Sequence, residues 1–490
     1  MNNAFKLSLV AAAVGLAAAG TASANSVGAP QYIGAGASAV KNTIVRAVVG
    51  VNGTASTVCP SGSTVDYYDN ATADITVGTA IPGGSVFRIV CTNAGTVVLD
   101  VSYDTNGGSW KSLIAAVPST ATVSPLFANA QSISGTPVQY NDITVGTKSA
   151  VSVTQFSAGG TTFTFVNPMT YHYGATVINA VPGTDSVDFG LADIENPLWN
   201  DPHNQPLQAD LVTPVFGNGE ILTVLNGTTR APVEAAGYPK PAFGVVFGVA
   251  VSPTLYAALQ TAQGLNGTVY DTAGVAHSCA GVQGYADTTP AHICVPSISK
   301  ADYRSLASGN ASASLATIYG NVEVARRDQG SGSQGNSNAF FFNDGCSVAQ
   351  AGVSEAKDLS PALPATVLPA NITVTYQTST GNVLTRIKNT TTNVIGVVGL
   401  DSDSAGKLGT GSFVKIDGIY PSSAAAGTTG YDFVGMETLH CSKTAGVSTF
   451  CAALTTDFST NLTTAGGFVN LTTANFSNNS VACGGQRRIR

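Results

Sequence analysis

Residues 241–264 read PAFGVVFGVAVSPTLYAALQTAQG. The run from Pro241 to Val251 is apolar without alternation, which is the pattern of a strand covered on both faces. The next stretch, from Ser252, spaces its apolar residues as a helix does. Ser252 stands where an N-cap belongs and Gly264 where a helix stops. A strand covered on both sides and followed at once by a helix is the unit of layered α/β proteins.

The same alternation recurs on either side. QYIGAGASAVKNTIVRAVV (31–49) reads as a short strand, a glycine turn and a helix. FRIVC, TVVLDVSY and SVDFG (186–190) are strand candidates, SKADYRSLASG a second capped helix, and VIGVVGL (394–400) another covered strand. This order predicts α/β layers with mostly parallel sheets. Residues 115–180 are rich in Thr, Ser, Val and Gly and read as an insertion of strands and loops, while the Gly/Ser/Ala-rich residues 329–338 and 421–430 read as loops.

The chain has 490 residues, of which 44% are apolar and only 10% charged, with a net charge of −7. A sizeable core is therefore available, and no basic patch suggests a nucleic-acid partner. Residues 1–24 have the form of a secretory signal: MNNAFK, the apolar run LSLVAAAVGLAAAG, then Ala22-Ser23-Ala24. No later apolar run is long enough to span a membrane. The expected location is periplasmic or extracellular. Eight cysteines in an exported chain suggest disulfides. Nearest pairing gives Cys59–Cys91, Cys279–Cys294 and Cys441–Cys451, and leaves Cys346–Cys483.

One segment suggests chemistry. NVEVA (321–325) alternates like a strand and runs into Arg326, Arg327 and then Gly330-Ser331-Gly332-Ser333. Glycines let a backbone approach a ligand, amides at a helix start favour an anion, and an arginine fork bonds two oxygens at once. The bland alternative is a solvated loop. A strand also leads into Gly34 to Ser38, and another ends near Asp193. Hydrogen phosphate can donate its proton to a carboxylate, whereas sulfate has none to give. An aspartate beside an arginine therefore selects a protonated oxyanion. The alternative for Asp193 is a helix cap.

Four segments in order carry a resemblance: IGAGAS (33–38), SVDFGLAD (186–193), PAFGVVFGVAV (241–251) and RRDQGSGSQ (326–334). They resemble the phosphate-binding proteins of ABC transporters, the PstS-like family. SISKADYRSLASGN (297–310) and GNVLTRIKNTTTNVIGVVGL (381–400) extend the match. FVKIDGIYPS (413–422) and NAFFFNDGC (338–346) are more similar to a group of secreted bacterial proteins on the same fold. The resemblance implies an α/β, two-lobed periplasmic-binding-protein-like fold with a β/loop-rich insertion. Lobe 1 would comprise 25–225 and 395–490, with the insertion at about 115–180, and lobe 2 would comprise 226–394. It implies a cleft that closes on phosphate or a similar oxyanion, with an ABC permease as partner where the chain serves a transporter.

By position, Ser38 would bind ligand oxygens, Asp193 would accept the ligand proton and Arg327 would make the bidentate contact. Ser331, Gly332 and Ser333 would form the cradle. A further hydroxyl comes from TNGGSW, as Thr105 or Ser109, between which the residues do not choose. The chain departs from the family at Ala39 (usually aromatic), at Ala192 (usually serine) and at Gln329. The family places at that last position the acid that pairs with its arginine. Here Asp328 stands next to it, so the arginine is expected to keep more charge for the ligand but to be held less firmly.

Other motifs imply less. His277, Cys279, His292 and Cys294 could hold zinc, but in an oxidising compartment a disulfide is the simpler use of the cysteines. Asp401 and Asp403 open like a calcium loop that lacks its final acid. Gly330, Gly332 and Gly335 fit a dinucleotide fingerprint without its acidic partner. Neither a metal cluster nor a nucleophile–base pair is evident, so no cofactor and no enzyme activity are expected. The alternative function is a secreted or cell-surface structural or adhesive protein reusing the scaffold.

Overall fold

The computed structural model describes residues 31–37, 41–71, 85–105, 108–116, 141–143, 149–158, 161–175, 177–179, 187–194, 198–199, 204–205, 223–226, 229–232, 243–287, 289, 292–308, 317–342, 365–368, 372–402, 408–426, 430–442, 445–461 and 467–470. Strand Phe243–Val251 is buried along its whole length, as its unbroken apolar run requires. Helix Pro253–Ala262 follows it directly, and Gly264 ends that helix with φ +70°. Ser252 stands at the N-cap, but its side chain makes no capping bond. Its hydroxyl instead donates to Thr392 O at 2.8 Å and accepts from Val394 N at 2.9 Å. That ties the strand end to its neighbour Asn393–Gly399. Helix Lys300–Ala307 carries the expected cap, with Ser299 and Asp302 bonded reciprocally.

These elements build the second of two eight-stranded sheets. Its order is Ala365–Leu368, Ile372–Gln377, Val322–Arg327, Asn393–Gly399, Phe243–Val251 and Ser412–Phe413, and Val434–Met436 and Phe468–Asn470 also pair with Phe243–Val251. The first sheet runs Thr438–Cys441, Phe189–Ala192, Tyr32–Ala35, Thr96–Asp104, Val86–Asn93, Thr64–Asp69, Thr161–Tyr173, Ser149–Ala158. The α/β class is as expected. The described strands between 149 and 173 form a hairpin, and Thr161–Tyr173 joins the first sheet beside Thr64–Asp69. The chain returns to the first sheet at Thr438–Cys441, after contributing strands between 243 and 436 to the second.

The sheets are mixed rather than mostly parallel, which corrects the expectation. Val322–Arg327 is parallel to both neighbours, and Tyr32–Ala35 is parallel to Thr96–Asp104 and Phe189–Ala192. Phe243–Val251, however, pairs antiparallel with every partner. The FRIVC and TVVLDVSY strands are joined by Ala94-Gly95, with φ +48° and +81°. A two-residue turn with both φ positive matches the strand twist and folds the strands into a hairpin.

A second correction concerns residues 329–338. They are not a loop throughout: Gly332–Ser337 is a short α-helix that continues into a π-turn, Asn338–Phe342. GSQGNS contains poor helix formers. Tertiary contact holds it: all six residues are buried, Asn336 Nδ2 bonds the Asp193 carbonyl, and Asn338 Nδ2, just past the helix, bonds Asn204 Oδ1 at 2.9 Å.

The core of the first sheet is a chain of rings. Tyr67, Phe87, Tyr103 and Phe189 follow one another at centroid distances of 5.6, 5.5 and 5.7 Å. Phe450 from helix Ala445–Asn461 closes the chain, edge-on to Phe189 at 5.2 Å. Disulfides Cys59–Cys91, Cys279–Cys294 and Cys441–Cys451 are present. Cys346 and Cys483 lie outside the described residues. With Cys279 and Cys294 bonded together, no zinc set forms there. His277 sits 3.1 Å from Asp271, and His292 stacks on Tyr420 at 4.0 Å. Among the described residues no helix is long and apolar enough to cross a membrane.

Candidate functional site

Turns from the two sheets meet at strand ends, where open α/β sheets place their ligand sites. Strand Phe189–Ala192 ends at Asp193. Past strand Thr96–Asp104, Gly108 begins a turn with φ +89°, and a side chain there would run into the carbonyl of Gly330, 2.6 Å away. This close approach of two backbones sets Ser109 at the start of the 3-10 helix Ser109–Ala116. From the second sheet, strand Val322–Arg327 ends in the arginine. Gly330, at φ +85°, then turns the chain into helix Gly332–Ser337.

Ser109 Oγ bonds the carboxylate of Asp193 and accepts from Gly332 N at 3.0 Å. Ser333 Oγ lies 3.4 Å from Asp193 Oδ2, and Asn336 Nδ2 bonds the Asp193 carbonyl. Asp193 is 2% exposed. Burial raises its pKa above the usual carboxylate range, while Ser109, the positive charge of Arg327 and Ser333 pull in the opposite direction. Arg327 therefore acts electrostatically on Asp193 although no direct bond joins them. Its guanidinium donates to Thr380 Oγ1 at 2.7 Å and pairs with Asp328 at 3.1 Å.

That pairing overturns one expectation. Arg327 does not lack an orienting acid, because the adjacent Asp328 supplies it. Burial pushes the Asp328 pKa up to about 6, against the lowering effect of Arg327.

The arrangement separates the two hydroxyls that the sequence could not. Thr105 Oγ1 donates to Ser85 O at 2.7 Å, which ties it to the neighbouring strand. Ser109 is the hydroxyl at the junction. Ser331 is buried beside the junction and, as helix N-cap, makes no side-chain cap bond. Ser38 and Ala39 lie outside the described residues.

Two groups escaped the sequence reading. Asn336 fastens the short helix to Asp193, and nothing in GSQGNSN singles it out. Glu437 is 0% exposed, and among the described residues neither of its carboxylate oxygens has a hydrogen-bond partner. It sits between strands Val434–Met436 and Thr438–Cys441, where the chain passes from the second sheet to the first. Burial, and secondarily the charge of Asp193, hold its pKa well above the ordinary value. The available signal was a single acid inside the apolar VGMETL in a chain with few charges.

His440 Nδ1 lies 2.9 Å from Ser112 Oγ, which itself donates to Ser109 O at 2.8 Å. Nδ1 therefore carries the proton. Burial lowers the His440 pKa to about 3. Both side chains are fully buried, so this pair braces the Ser109 turn.

At Gly332 a turn of the second sheet packs directly on Asp193 and Ser109 of the first. A Cβ there would overlap the Asp193 carboxylate and stand 2.6 Å from Ser109 Oγ. Gly332→Ala is expected to cost about 2 kcal/mol in denaturant unfolding, as overpacking of a tight contact does. An unchanged midpoint would show that the two turns do not meet.

No family model matches the chain, and no curated protein does. Among solved structures it is similar to a putative phosphate ABC transporter substrate-binding protein with bound phosphate from Clostridium perfringens, at 12% identity and a TM-score of 0.29, over 51% of this chain and 76% of that one. It is also similar to an ABC-type phosphate transport receptor from Vibrio cholerae (14%, 0.28, 47% and 71%) and to PstS from Borrelia burgdorferi (10%, 0.27, 58% and 79%).

Proposed function

We propose that this chain is an exported solute-binding protein that captures phosphate, or a protonated oxyanion like it, between its two sheets. The observation that supports this reading is the meeting of Ser109 and Ser333 on Asp193, with the Gly332 amide bonded to Ser109 and Arg327 near enough to act on the same carboxylate. These are donors suited to oxyanion oxygens, one acceptor suited to a ligand proton, and one cation. Binding exchanges the contacts of Ser109 and Ser333 with Asp193, and of the Gly332 amide with Ser109, for contacts with ligand oxygens. Asp193 then accepts the ligand proton. The two sheets must part to admit the ligand, as in hinged binding proteins. No bond is made or broken in this scheme, so the protein acts as a receptor and not as an enzyme. An ABC permease is the partner such a receptor would serve.

One observation favours a second reading. Ser109, Asp193 and Ser333 already satisfy one another and are all buried. A secreted structural protein with a permanently shut junction would look the same.

Titration calorimetry on protein unfolded and refolded without phosphate separates the two readings. Saturable binding of one phosphate per chain supports the receptor, and no heat in phosphate supports the structural protein. Asp193→Asn is expected to bring phosphate and sulfate affinities closer together, about tenfold or more, because the amide can donate to an oxygen that carries no proton. An unchanged ratio would remove Asp193 from the site.

A further inference from the structure

Away from this junction, helix Lys41–Val49 is buried along its whole length although it contains an arginine. Arg46 is 1% exposed, and among the described residues its guanidinium makes one hydrogen bond, from Nη2 to Asn461 O at 2.9 Å. Nε and Nη1 have no partner. Two rings lie against the guanidinium, Phe163 at 4.0 Å and Phe468 at 5.3 Å.

Two other buried groups nearby are also unpartnered. Thr43, at 0% exposure, lies one turn earlier on the same helix, and its Oγ1 makes no bond. Asn461, at 3%, ends helix Ala445–Asn461, and neither its Nδ2 nor its Oδ1 is bonded. Buried polar atoms are nearly always paired, so five on a turn of one helix and the end of the helix bonded to it require an explanation. Among the described residues no acid offsets the arginine. Its pKa is lowered to about 9 by burial alone.

We infer that Arg46, Thr43 and Asn461 form a buried receptor for a small monovalent anion such as chloride. The site presents guanidinium, hydroxyl and amide donors, so it suits an acceptor. It carries a single positive charge, so one negative charge neutralises it. A divalent oxyanion would leave net charge in an apolar interior. The anion would lock helix Lys41–Val49 to the end of helix Ala445–Asn461, and the site shares no residue with the Asp193 junction.

The test compares the intact protein in sodium chloride and in sodium gluconate, whose anion is too bulky to enter, at equal ionic strength. Chloride is expected to raise Tm saturably, by roughly 5 °C well above its Kd, and to broaden the chloride-35 NMR line. Arg46→Met should lose both effects. Asn461→Asp supplies a fixed negative charge beside the guanidinium. It should be more stable than wild type without chloride and no longer respond to it, which keeps the test decisive if Arg46→Met does not fold. Equal Tm in the two salts with no line broadening overturns the proposal, as does an Asn461→Asp variant that responds to chloride like the wild type.

Discussion

Arg327→Ala is expected to lower phosphate affinity at least about 100-fold in calorimetry, to where no binding heat is measured at micromolar protein. A charge-assisted, two-pronged contact accounts for a loss of this size, about 3 kcal/mol. Arg327 carries the cationic charge that acts on Asp193, so its loss leaves a carboxylate facing an anion. Arg327→Lys keeps the charge but not the planar fork and should fall between, at about a tenfold loss. The alanine variant also strips Asp328 of its ion partner. Its folded state should therefore be checked by thermal unfolding near pH 5, where that acid is more nearly neutral. A folded Arg327→Ala protein that binds phosphate like the wild type would exclude the arginine from the site.

The second large effect concerns Glu437 and appears in stability rather than binding. Its folded pKa is raised above its unfolded one, chiefly by burial. The stability linked to its protonated form is thus fully present below about pH 4.5 and is lost as the pH climbs through the elevated folded value. Asp188 and Asp328, each pushed up to about 6 by burial, act with the same sign at lower pH. Wild-type protein should consequently be most stable in mild acid and weaken towards pH 8. Glu437→Gln keeps the shape and removes the titration. Between pH 5 and pH 8 the variant should lose less stability than wild type in urea titrations, by at most about 1.4 kcal/mol for each pH unit over which Glu437 stays protonated in the fold. Parallel pH profiles for the two proteins would show that Glu437 is not held uncharged in the fold.

Several residues of the candidate junction stand out in the sequence because each sits in a local pattern. Arg327 closes an alternating strand, and Gly332 and Ser333 lie in the turn after it. Asp193 follows SVDFGLA. Their convergence could not be read. Ser109 and Gly332 are 223 residues apart, and Asp193 and Ser333 are 140 apart. Thr105 and Ser109 are equally good hydroxyls in one glycine-rich turn. Only the contact of Thr105 with Ser85 and of Ser109 with Asp193 separates them. The role of Asp328 was misread for a related reason. The resemblance placed the pairing acid two positions on, whereas burial around Arg327 recruits the adjacent one.

By itself the sequence determined what short-range forces determine: the covered strand Phe243–Val251, the capped helix Lys300–Ala307 and the close-set disulfide pairs. Periodicity and capping act within a turn or two of chain, and the disulfides join cysteines only 32, 15 and 10 residues apart, so their signals survive in sequence order. The tertiary structure decided which strands pair and in which direction, why GSQGNS becomes a helix, and why Glu437 and Arg46 are buried with polar atoms unpaired. Those outcomes depend on surfaces brought together from remote parts of the chain, whose burial and pairing energies appear only once both partners are in place.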